Sequence, residues 1–385
     1  MPRAPFLICA EMNEPMRIVE VISRSDLNRF ITFPDELYRE CPQYVPALHS
    51  DQRHSLMKSA SLKYCRRRMW LAIDGSGKVC GRICAMVNPH YNELYGKRYA
   101  RFGWFDTVND DNVAGALLDT ACGWARAQGM THIHGPLYYN TLGKQGMLVE
   151  GFQNIPQFNT LYNYPYYVDI VQKYGFVKEC DWVQYKMSDF HTTERIAAIS
   201  ARVQERCGLH YGNIDGIKKD KDKVRAFLQM YSDIFARSVY NFIPFTQEEM
   251  DEEAKLSIPM LDRRHCCVVL DEDDEIAAFG ISFPSISNAL RKARGTLFPF
   301  GWFHLLKALK FSNDTVDLML IGASQKWAGK GVSSMLHTYL SEQFGKMGAH
   351  YFITNPQIET NSAAFVWGTY ENEPYMRRRC FIKEL

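Results

Sequence analysis

The chain has 385 residues, of which 46% are hydrophobic and 13% aromatic, and it carries 45 Lys and Arg against 43 Asp and Glu. This length is typical of two domains or one large one, and the apolar content excludes an intrinsically disordered protein. The near-neutral charge argues against a protein built mainly to neutralise a nucleic-acid backbone, so no nucleic-acid partner is expected.

The eleven cysteines are odd in number and scattered, and Cys266 and Cys267 are adjacent, which does not suit two independent disulfides. They predict buried thiols in a reducing compartment, and no metal site is expected. No apolar run reaches the roughly 18 to 20 residues that a membrane-spanning helix needs. We therefore expect a cytoplasmic protein, with the inner face of the membrane as an alternative location.

The first half of the chain is predicted to start at Met16. Residues 1–15 contain an apolar run too short for a signal peptide, and we interpret them as a disordered extension or one assigned in error. From there the predicted order is a strand, a helix and a hairpin around an Asp-Gly-Ser-Gly turn. The elements that follow are a strand at 99–108, a helix at 113–128, a strand at 131–137, a long loop at 138–161, a helix at 167–174 and a strand at 181–187.

The second half repeats this order from about Gly208. Its predicted elements are a strand at 209–214, helices at 223–237 and 247–256, a hairpin at 266–283, a strand at 316–323, a helix at 332–344, a strand at 351–355, a helix at 362–369 and a strand at 376–382. A hairpin that feeds a strand–helix–strand unit makes a mixed sheet with helices on both sides. The predicted class is therefore α/β, with an α+β mixed sheet in each half; two unrelated α/β domains are the alternative.

A glycine-containing segment, Gln-Lys-Trp-Ala-Gly-Lys-Gly-Val-Ser at 325–333, separates a predicted strand from a predicted helix. Gly329 and Gly331 let the backbone approach a ligand closely, and the N–H groups in the first turn of a helix attract phosphate. Lys330 adds a positive charge. The pattern therefore predicts a phosphate-binding loop.

Both halves resemble the GNAT family, so the whole chain resembles a tandem pair of acyl-CoA N-acyltransferase domains. The family's pyrophosphate loop, Arg/Gln-x-x-Gly-x-Gly/Ala, aligns with residues 328–333; Gly331 matches its central glycine, whereas Ala328 and Ser333 depart from it. The resemblance implies acetyl-CoA or a longer acyl-CoA as donor, with no metal. The implied cofactor-binding residues are Ile321, Gly322, Ala323, Ala328, Gly329, Lys330, Gly331, Val332, Ser333 and Asn361.

The corresponding loop of the first half, at 109–114, has no glycine, and Asp110 and Asp111 stand where a pyrophosphate would approach. Like charges repel, and these acids suit a capped helix instead. We therefore predict an N-terminal domain at 16–187 that lacks a CoA loop and shapes the acceptor, and a C-terminal domain at 188–385 with a degenerate CoA loop. Residues 146–152 and 162–167 further resemble uncharacterised bacterial tandem-GNAT proteins of the YghO-like type.

Aromatic side chains supply the predicted acceptor contacts. Tyr162, Tyr164, Tyr166 and Trp302 are the candidate substrate-binding residues, although tyrosines also occur as ordinary core residues. Residues 276–313 contain no Asp or Glu but several aromatic and basic residues. Such a segment can lie on an anionic bilayer, so peripheral membrane contact through residues 288–312 is one interpretation. A buried helical hairpin is the other.

Acylation of an amine needs a thioester, a deprotonated amine and donors for the oxyanion, but no protein nucleophile. Glu359, His350 and Tyr370 are the candidate catalytic residues because they lie near the predicted strand ends beside the loop, although each residue type is often structural. His132 and His134 alternate on one strand but lack an obvious carboxylate partner, so no metal site is assigned to them.

These observations predict an acyltransferase that moves an acyl group from acyl-CoA to a primary amine, such as a sphingoid base or a lipidated amino acid. One alternative is an aminoacyl transferase like the FemABX group, which also pairs two GNAT-like domains. That group uses aminoacyl-tRNA as donor, which calls for a broadly basic groove, and the net charge of +2 argues against this alternative. Another is a degenerate GNAT binding module, favoured by Ala328, Ser333 and Gly368, the last of which stands where the family often has a general-acid Tyr.

Overall fold

The computed structural model describes residues 15–238, 241–311, 313–360 and 372–385. Its strands are Arg17–Glu20 (β1), Arg66–Ile73 (β2), Val79–Val87 (β3), Tyr99–Thr107 (β4), His132–Gly135 (β5), Met147–Glu150 (β6), Val177–Met187 (β7), His210–Tyr211 (β8), Cys266–Leu270 (β9), Ile276–Pro284 (β10), Thr315–Ala323 (β11), Tyr351–Thr354 (β12), Gln357–Ile358 (β13) and Asn372–Glu384 (β14).

The described helices are Arg24–Leu37 (α1), His49–Met57 (α2), Pro89–Tyr95 (α3), Asp111–Ala127 (α4), Tyr166–Lys173 (α5), Glu194–Cys207 (α6), Ile214–Ile217 (α7), Lys221–Ser238 (α8), Gln247–Leu256 (α9), Ser287–Ala293 (α10), Gly301–Lys310 (α11) and Val332–Met347 (α12). Short 3₁₀ turns lie at Ala60–Lys63 and Ile258–Met260. None of the described helices has both the length and the apolar character that a bilayer crossing requires.

The chain folds into two compact units. The first comprises the described residues up to Val183 with Ser287–Leu305 and Met376–Leu385, and the second comprises Gln184–Ile286 and Leu306–Tyr375 as far as they are described. The domain boundary predicted at 187/188 differs from this division, because residues 287–305 and 376–385 belong to the first unit. The physical reason is strand pairing, because residues 381–384 of β14 pair with β5 of the first unit.

In the first unit the strand order is β1-β2-β3-β4-β5-β14-β7, and β6 pairs with β14. The strands from β1 to β4 form an antiparallel meander, whereas β4 and β5 are parallel. A parallel pair needs a crossover, which α4 supplies. Its apolar side chains recur at helical spacing and are buried, and α4 packs against β2 and β3.

The second unit repeats this arrangement with the order β7-β12-β11-β10-β9-β8, in which β11 and β12 are the parallel pair and α12 is the crossover. Alternate residues of β9 face two different clusters of buried side chains: Cys267 and Val269 lie in one, and Cys266 and Val268 in the other. The sheet is therefore covered on both faces, as the continuous apolar run of β9 requires. The predicted mixed α/β class is confirmed.

The predicted secondary structure needs one correction and one addition. The strand expected at 209–214 is reduced to β8, because the Asn213 side chain accepts a hydrogen bond from Asp215 N and starts α7. Helices α3 and α6 were not predicted, although Asn88 and Thr193 cap them. The ten described cysteines are free, and all but Cys207 are buried, as expected. The predicted extension at 1–15, apart from residue 15, and the predicted helix at 362–369 lie outside the described residues.

Candidate functional site

In the second unit, the loop between β11 and α12 has the geometry of an anion site. Gly329 and Gly331 have φ angles of 74° and 85°, in the left-handed region that favours glycine. Gly331 immediately precedes α12, and no side chain caps that end of the helix. The N–H groups of the first turn, at the positive end of the helix dipole, are thus suited to bind an oxyanion such as a phosphate.

The charges around this loop favour an anionic ligand. Residues 324–331 contain two lysines and no acidic residue. Nζ of Lys326 donates to Oδ2 of Asp271 at 2.6 Å, and this hydrogen bond raises the pKa of Lys326. Lys330 is exposed, with its Nζ 5.1 Å from the centre of the Trp327 ring. Of the two lysines in this loop, Lys326 is thus paired with Asp271, and Lys330 is not.

The strand that leads into the loop has a stretch of edge with which no other described strand pairs. β11 pairs with β12 only from Thr315 to Leu318, so its last five residues, 319–323, continue beyond the partner strand. A β-bulge at Met319 coincides with this divergence, since Leu318 and Leu320 pair with consecutive residues of β10. Bulges often occur beside binding sites, where they redirect the backbone. Ile321 is 46% exposed on this edge.

The equivalent loop of the first unit is closed to anions. The Asp110 side chain accepts hydrogen bonds from the backbone N–H groups of Asn112 and Val113 at 2.8 and 3.3 Å and so caps α4. Asp111 pairs with Nζ of Lys173 at 2.9 Å. The predicted capped helix is confirmed, and a carboxylate already occupies the place of an incoming phosphate.

The first unit instead contains two adjoining polar cavities of about 30 and 40 Å³ beside β4. Both are lined by Arg82, Asp106, Tyr138, Leu161 and Tyr162. They lie where β4 and β5 diverge, and β4 bulges there as β11 does in the second unit. Each cavity has room for about two or three waters or for a small polar group.

Trp104 forms the strained part of this bulge. Its φ angle is 46°, which is uncommon for a bulky side chain. The indole ring stacks on Tyr138 with 3.6 Å between ring centres, and its Nε1 donates to Gln52 at 2.8 Å. These contacts hold the strained residue in place, as is typical of backbone that serves a site.

Charged groups line the cavities from several elements. Nη2 of Arg82 lies 2.7 Å from Oδ2 of Asp106, whose Oδ1 accepts a hydrogen bond from the Tyr38 hydroxyl at 3.1 Å. Nζ of Lys144 donates to the Thr160 carbonyl at 3.0 Å. Burial, together with the nearby cations Arg378 and Arg82, lowers the pKa of Lys144 to about 8. Burial raises the pKa of Tyr138 well above its usual range.

No family model matches the chain. Protein YghO of Escherichia coli (strain K12) is 26% identical to it over 379 residues, which is 94% of each chain. Bacterial ceramide synthase of Caulobacter vibrioides is 26% identical over 322 residues, or 82% of each. A tandem GNAT protein from the clavulanic acid biosynthesis pathway superposes with a TM-score of 0.57 at 12% identity, covering 96% of this chain and 98% of that one.

The chain is thus similar to YghO over nearly its whole length, and it has a tandem GNAT fold. A second solved structure, a glucosamine N-acetyltransferase region in a fungal multi-domain enzyme, has a TM-score of 0.59 at 12% identity; it covers 97% of this chain, which spans only 38% of that longer one. The predicted resemblance and the predicted tandem GNAT fold are both confirmed. The names of the matched structures agree with the predicted acyltransferase class.

Nine of the ten predicted donor residues lie in the described part of the chain. Residues 321–323 and 328–333 lie together, on the end of β11 beyond its pairing with β12 and in the loop that starts α12. His350 precedes β12 and is exposed at the end of that strand opposite to the divergence, so it lies away from the loop. Glu359 is exposed after β13. Asn361 and Tyr370 lie outside the described residues.

The four predicted acceptor residues occupy different environments. Tyr162 lines both cavities of the first unit. The hydroxyls of Tyr164 and Tyr166 donate to the backbone carbonyls of Leu37 and Thr107 at 3.5 and 2.6 Å, so these two tyrosines serve packing. Trp302 is exposed on α11.

Three residues that line the cavities were missed in the sequence: Arg82, Asp106 and Lys144. A signal was present for two of them, because Arg82 is the one charged residue of the apolar strand β3, and Asp106 is one of two charged residues in the largely apolar strand β4. Charges in such strands are almost never buried unless they are paired. Lys144 gave no signal, since it lies in a long loop where a lysine is ordinary.

His134 does have a carboxylate partner, contrary to the expectation from sequence. Nδ1 of His134 lies 2.9 Å from Oε2 of Glu179, and the Cys380 thiol donates to the same oxygen at 3.1 Å. These three groups form the one cluster of potential metal ligands found among the described residues. Their mutual hydrogen bonds satisfy Glu179 without an ion. Burial and the nearby Arg101 cation lower the pKa of His134.

Proposed function

We propose that this protein is an N-acyltransferase that uses acyl-CoA as donor and a primary amine as acceptor. The observation that carries the proposal is the uncapped start of α12 behind Gly329 and Gly331, next to the edge of β11 with which no other described strand pairs, within a GNAT fold. This loop suits the pyrophosphate of CoA. The edge of β11 beyond its pairing with β12 can form hydrogen bonds with the amide groups of the pantetheine arm.

The reaction needs little from the protein beyond orientation and proton transfer. The neutral amine attacks the thioester carbonyl, a C–N bond forms, the C–S bond breaks, and the CoA thiolate leaves and takes up a proton while the nitrogen loses one. N–H donors aimed at the carbonyl oxygen lower the barrier by stabilising the developing negative charge. Glu359 and Tyr370 remain candidates for the proton transfer; His350 does not, because of its position before β12.

The acceptor that we propose is an amphiphilic amine such as a sphingoid base or a lipidated amino acid. Support comes from the relative named bacterial ceramide synthase, since a ceramide is a sphingoid base acylated on its amine. The polar cavities around Arg82 and Asp106 are of a size for a small polar headgroup rather than an acyl chain. Peripheral membrane contact through residues 288–312 would fit such an acceptor.

The donor is tested by calorimetric titration of acetyl-CoA and palmitoyl-CoA into the wild-type protein and two variants. Lys330→Glu reverses an exposed charge without altering the backbone, and we expect it to weaken binding of both donors at least about fivefold. Gly331→Arg should abolish binding, because it fills the loop and forces a side chain onto a left-handed residue.

Gly345→Arg is the matched control, since it adds the same side chain near the other end of α12, where a Cβ meets no neighbouring atom. It should leave the affinity unchanged. Absence of binding to either donor in the wild type would overturn the proposal and favour a degenerate GNAT binding module. If the donor binds, mass spectrometry of products from a panel of sphingoid bases, lipidated amino acids and plain amino acids identifies the acceptor class.

A further inference from the structure

The most exposed apolar surface among the described residues is formed by a short turn and the helix that follows it. In α11 only Gly301 is buried, residues 304, 305, 308 and 309 are half-buried, and the others are exposed. Phe298 and Phe300 of the preceding turn are 79% and 74% exposed. The exposed apolar residues of this surface, called here the aromatic surface, are Phe298, Phe300, Trp302, Phe303, Leu306 and Phe311.

Hydrogen bonds and close packing fix the turn that carries this surface. Trp302 N donates to the Leu297 carbonyl at 2.8 Å, and the indole Nε1 of Trp302 donates to the Pro299 carbonyl at 3.0 Å. At Gly301 an added Cβ would lie 2.0 Å from the carbonyl oxygen of Thr296, so the turn packs closely against the start of the helix. The rings are therefore exposed by a hydrogen-bonded turn rather than by a loose end.

The helix before the turn is anchored in the first unit. Three of its side chains, Ala289, Leu290 and Ala293, are buried, and the Ser287 hydroxyl donates to the Pro156 carbonyl at 2.8 Å. The backbone N–H of His49 also donates to the Gly295 carbonyl at 2.9 Å. The predicted burial is confirmed for α10. In α11 it is wrong for Trp302, Phe303 and Leu306, which are exposed, whereas residues 305, 308 and 309 are half-buried.

The charges around the aromatic surface have one sign. No acidic residue occurs between positions 276 and 313, whereas five cations flank the aromatic residues: Arg291, Lys292, Arg294, Lys307 and Lys310. On α11 the apolar residues Phe303 and Leu306 are each followed four positions later by a lysine, Lys307 and Lys310, on the same side of the helix. Aromatic rings bordered by cations are typical of a surface that lies in the interface of an anionic bilayer.

We propose that the aromatic surface is a membrane anchor that binds anionic lipid bilayers. A contiguous group of exposed large apolar side chains bordered by polar residues often marks an interaction site. A second copy of the chain is a poor partner, because a two-fold contact through this surface would bring like cations together without any acid from residues 276–313. The phosphate headgroups of an anionic bilayer supply the negative charge that this surface lacks. The aromatic rings insert among the lipid acyl chains.

The test is co-sedimentation with vesicles of phosphatidylglycerol and phosphatidylethanolamine, compared with vesicles of phosphatidylcholine alone. We expect the wild-type protein to partition at least about tenfold more strongly into the anionic vesicles and to be released by 1 M salt. Phe298→Ser with Phe300→Ser should reduce the partition coefficient at least about tenfold. Lys307→Glu with Lys310→Glu should have a comparable effect on anionic vesicles alone.

Matched controls come from exposed residues elsewhere in the chain. Ile22→Ser with Val177→Ser removes two exposed apolar side chains, and Lys221→Glu with Lys223→Glu reverses two exposed cations. Both control proteins should partition as the wild type does. The vesicle assay needs no acyl-CoA, so its outcome is independent of the donor titration.

The proposal is overturned if the wild-type protein does not bind anionic vesicles, or if the controls lose binding as strongly as the surface variants. It is also overturned if the wild type is a dimer that Phe298→Ser with Phe300→Ser dissociates, because the aromatic surface is then covered by a second copy.

Discussion

Arg82 and Asp106 lie directly opposite each other on the antiparallel strands β3 and β4, and their side chains form a buried ion pair with 2.7 Å between Nη2 and Oδ2. A second donor bond, from Nη1 of Arg82 to the Phe30 carbonyl at 2.6 Å, ties this pair to α1. Both residues line the two cavities of the first unit, so the same contact supports the fold and forms part of the walls of the candidate acceptor site.

Breaking this pair should destabilise the first unit strongly. Asp106→Asn leaves the guanidinium of Arg82 buried without its counter-charge, and we expect a loss of about 3 kcal/mol in the free energy of unfolding, measured by urea denaturation. The double variant Arg82→Met with Asp106→Leu leaves no charge unpaired and should lose less. Equal losses in the two variants would show that the charges are not the cause.

The cap of α4 offers a test of the closed loop in the first unit. Asp110→Ala removes the acceptor for two backbone N–H groups, and we expect it to cost about 1 kcal/mol of stability. Asp111→Ala removes only an exposed ion pair and should cost less than about 0.5 kcal/mol. Thermal unfolding of both variants under the same conditions makes the comparison; a larger effect at Asp111 would contradict it.

Lys144 predicts a specific dependence of stability on pH. Burial lowers its pKa to about 8 in the folded protein, below the value of about 10.5 for an unfolded chain. Between these two pH values the unfolded state binds more protons, so the stability of the wild type should rise with pH relative to that of Lys144→Met. Urea unfolding of both proteins at pH 7 and pH 10 measures the difference, which we expect to be a few kcal/mol; parallel curves would refute it.

His337 predicts a dependence of the same sign in acid, at a lower pH. Burial, and then the neighbouring His191, lower the pKa of His337 to about 4, and its ring stacks on Phe190 with 4.4 Å between centres. The folded state therefore favours the neutral ring, and stability is lost as pH falls from about 6.5 towards 4. His337→Phe should be less sensitive to acid by about 2 kcal/mol over this range in thermal unfolding. An identical acid sensitivity would argue against a neutral His337.

Two tyrosines distinguish a cavity wall from the packing around it. Tyr162 lines both cavities, and its hydroxyl donates to the Phe152 carbonyl at 3.1 Å, whereas Tyr166 lines neither cavity and its hydroxyl donates to the Thr107 carbonyl. Once an acceptor is found, Tyr162→Phe should raise its KM by about 2- to 10-fold with little change for the donor, as expected for one lost hydrogen bond. Tyr166→Phe should leave the acceptor KM unchanged; the reverse order would move the acceptor site elsewhere.

Much of the fold could be predicted because its signals are local. The hairpin of β2 and β3, helix α4 with its acidic cap and the glycine loop before α12 each lie within a short stretch of sequence that contains both the pattern and the turn residues. The Thr193 cap of α6 and the Asn88 cap of α3 were equally local, and these helices were missed because the segments read as connections between halves and strands.

The sequence by itself determined the tandem α/β pattern, the loop that carries Gly329 and Gly331, and the acid-free segment with its aromatic residues, because these depend on spacing along the chain. Only the tertiary structure decided that β14 ends in the first unit, that Arg82 faces Asp106, that Lys144 is half-buried, and that Phe303 and Leu306 of α11 are exposed. Those facts depend on pairing register and packing between residues far apart in the sequence. Such contacts leave no periodic trace in a single chain, since the same side chains would be ordinary at the surface.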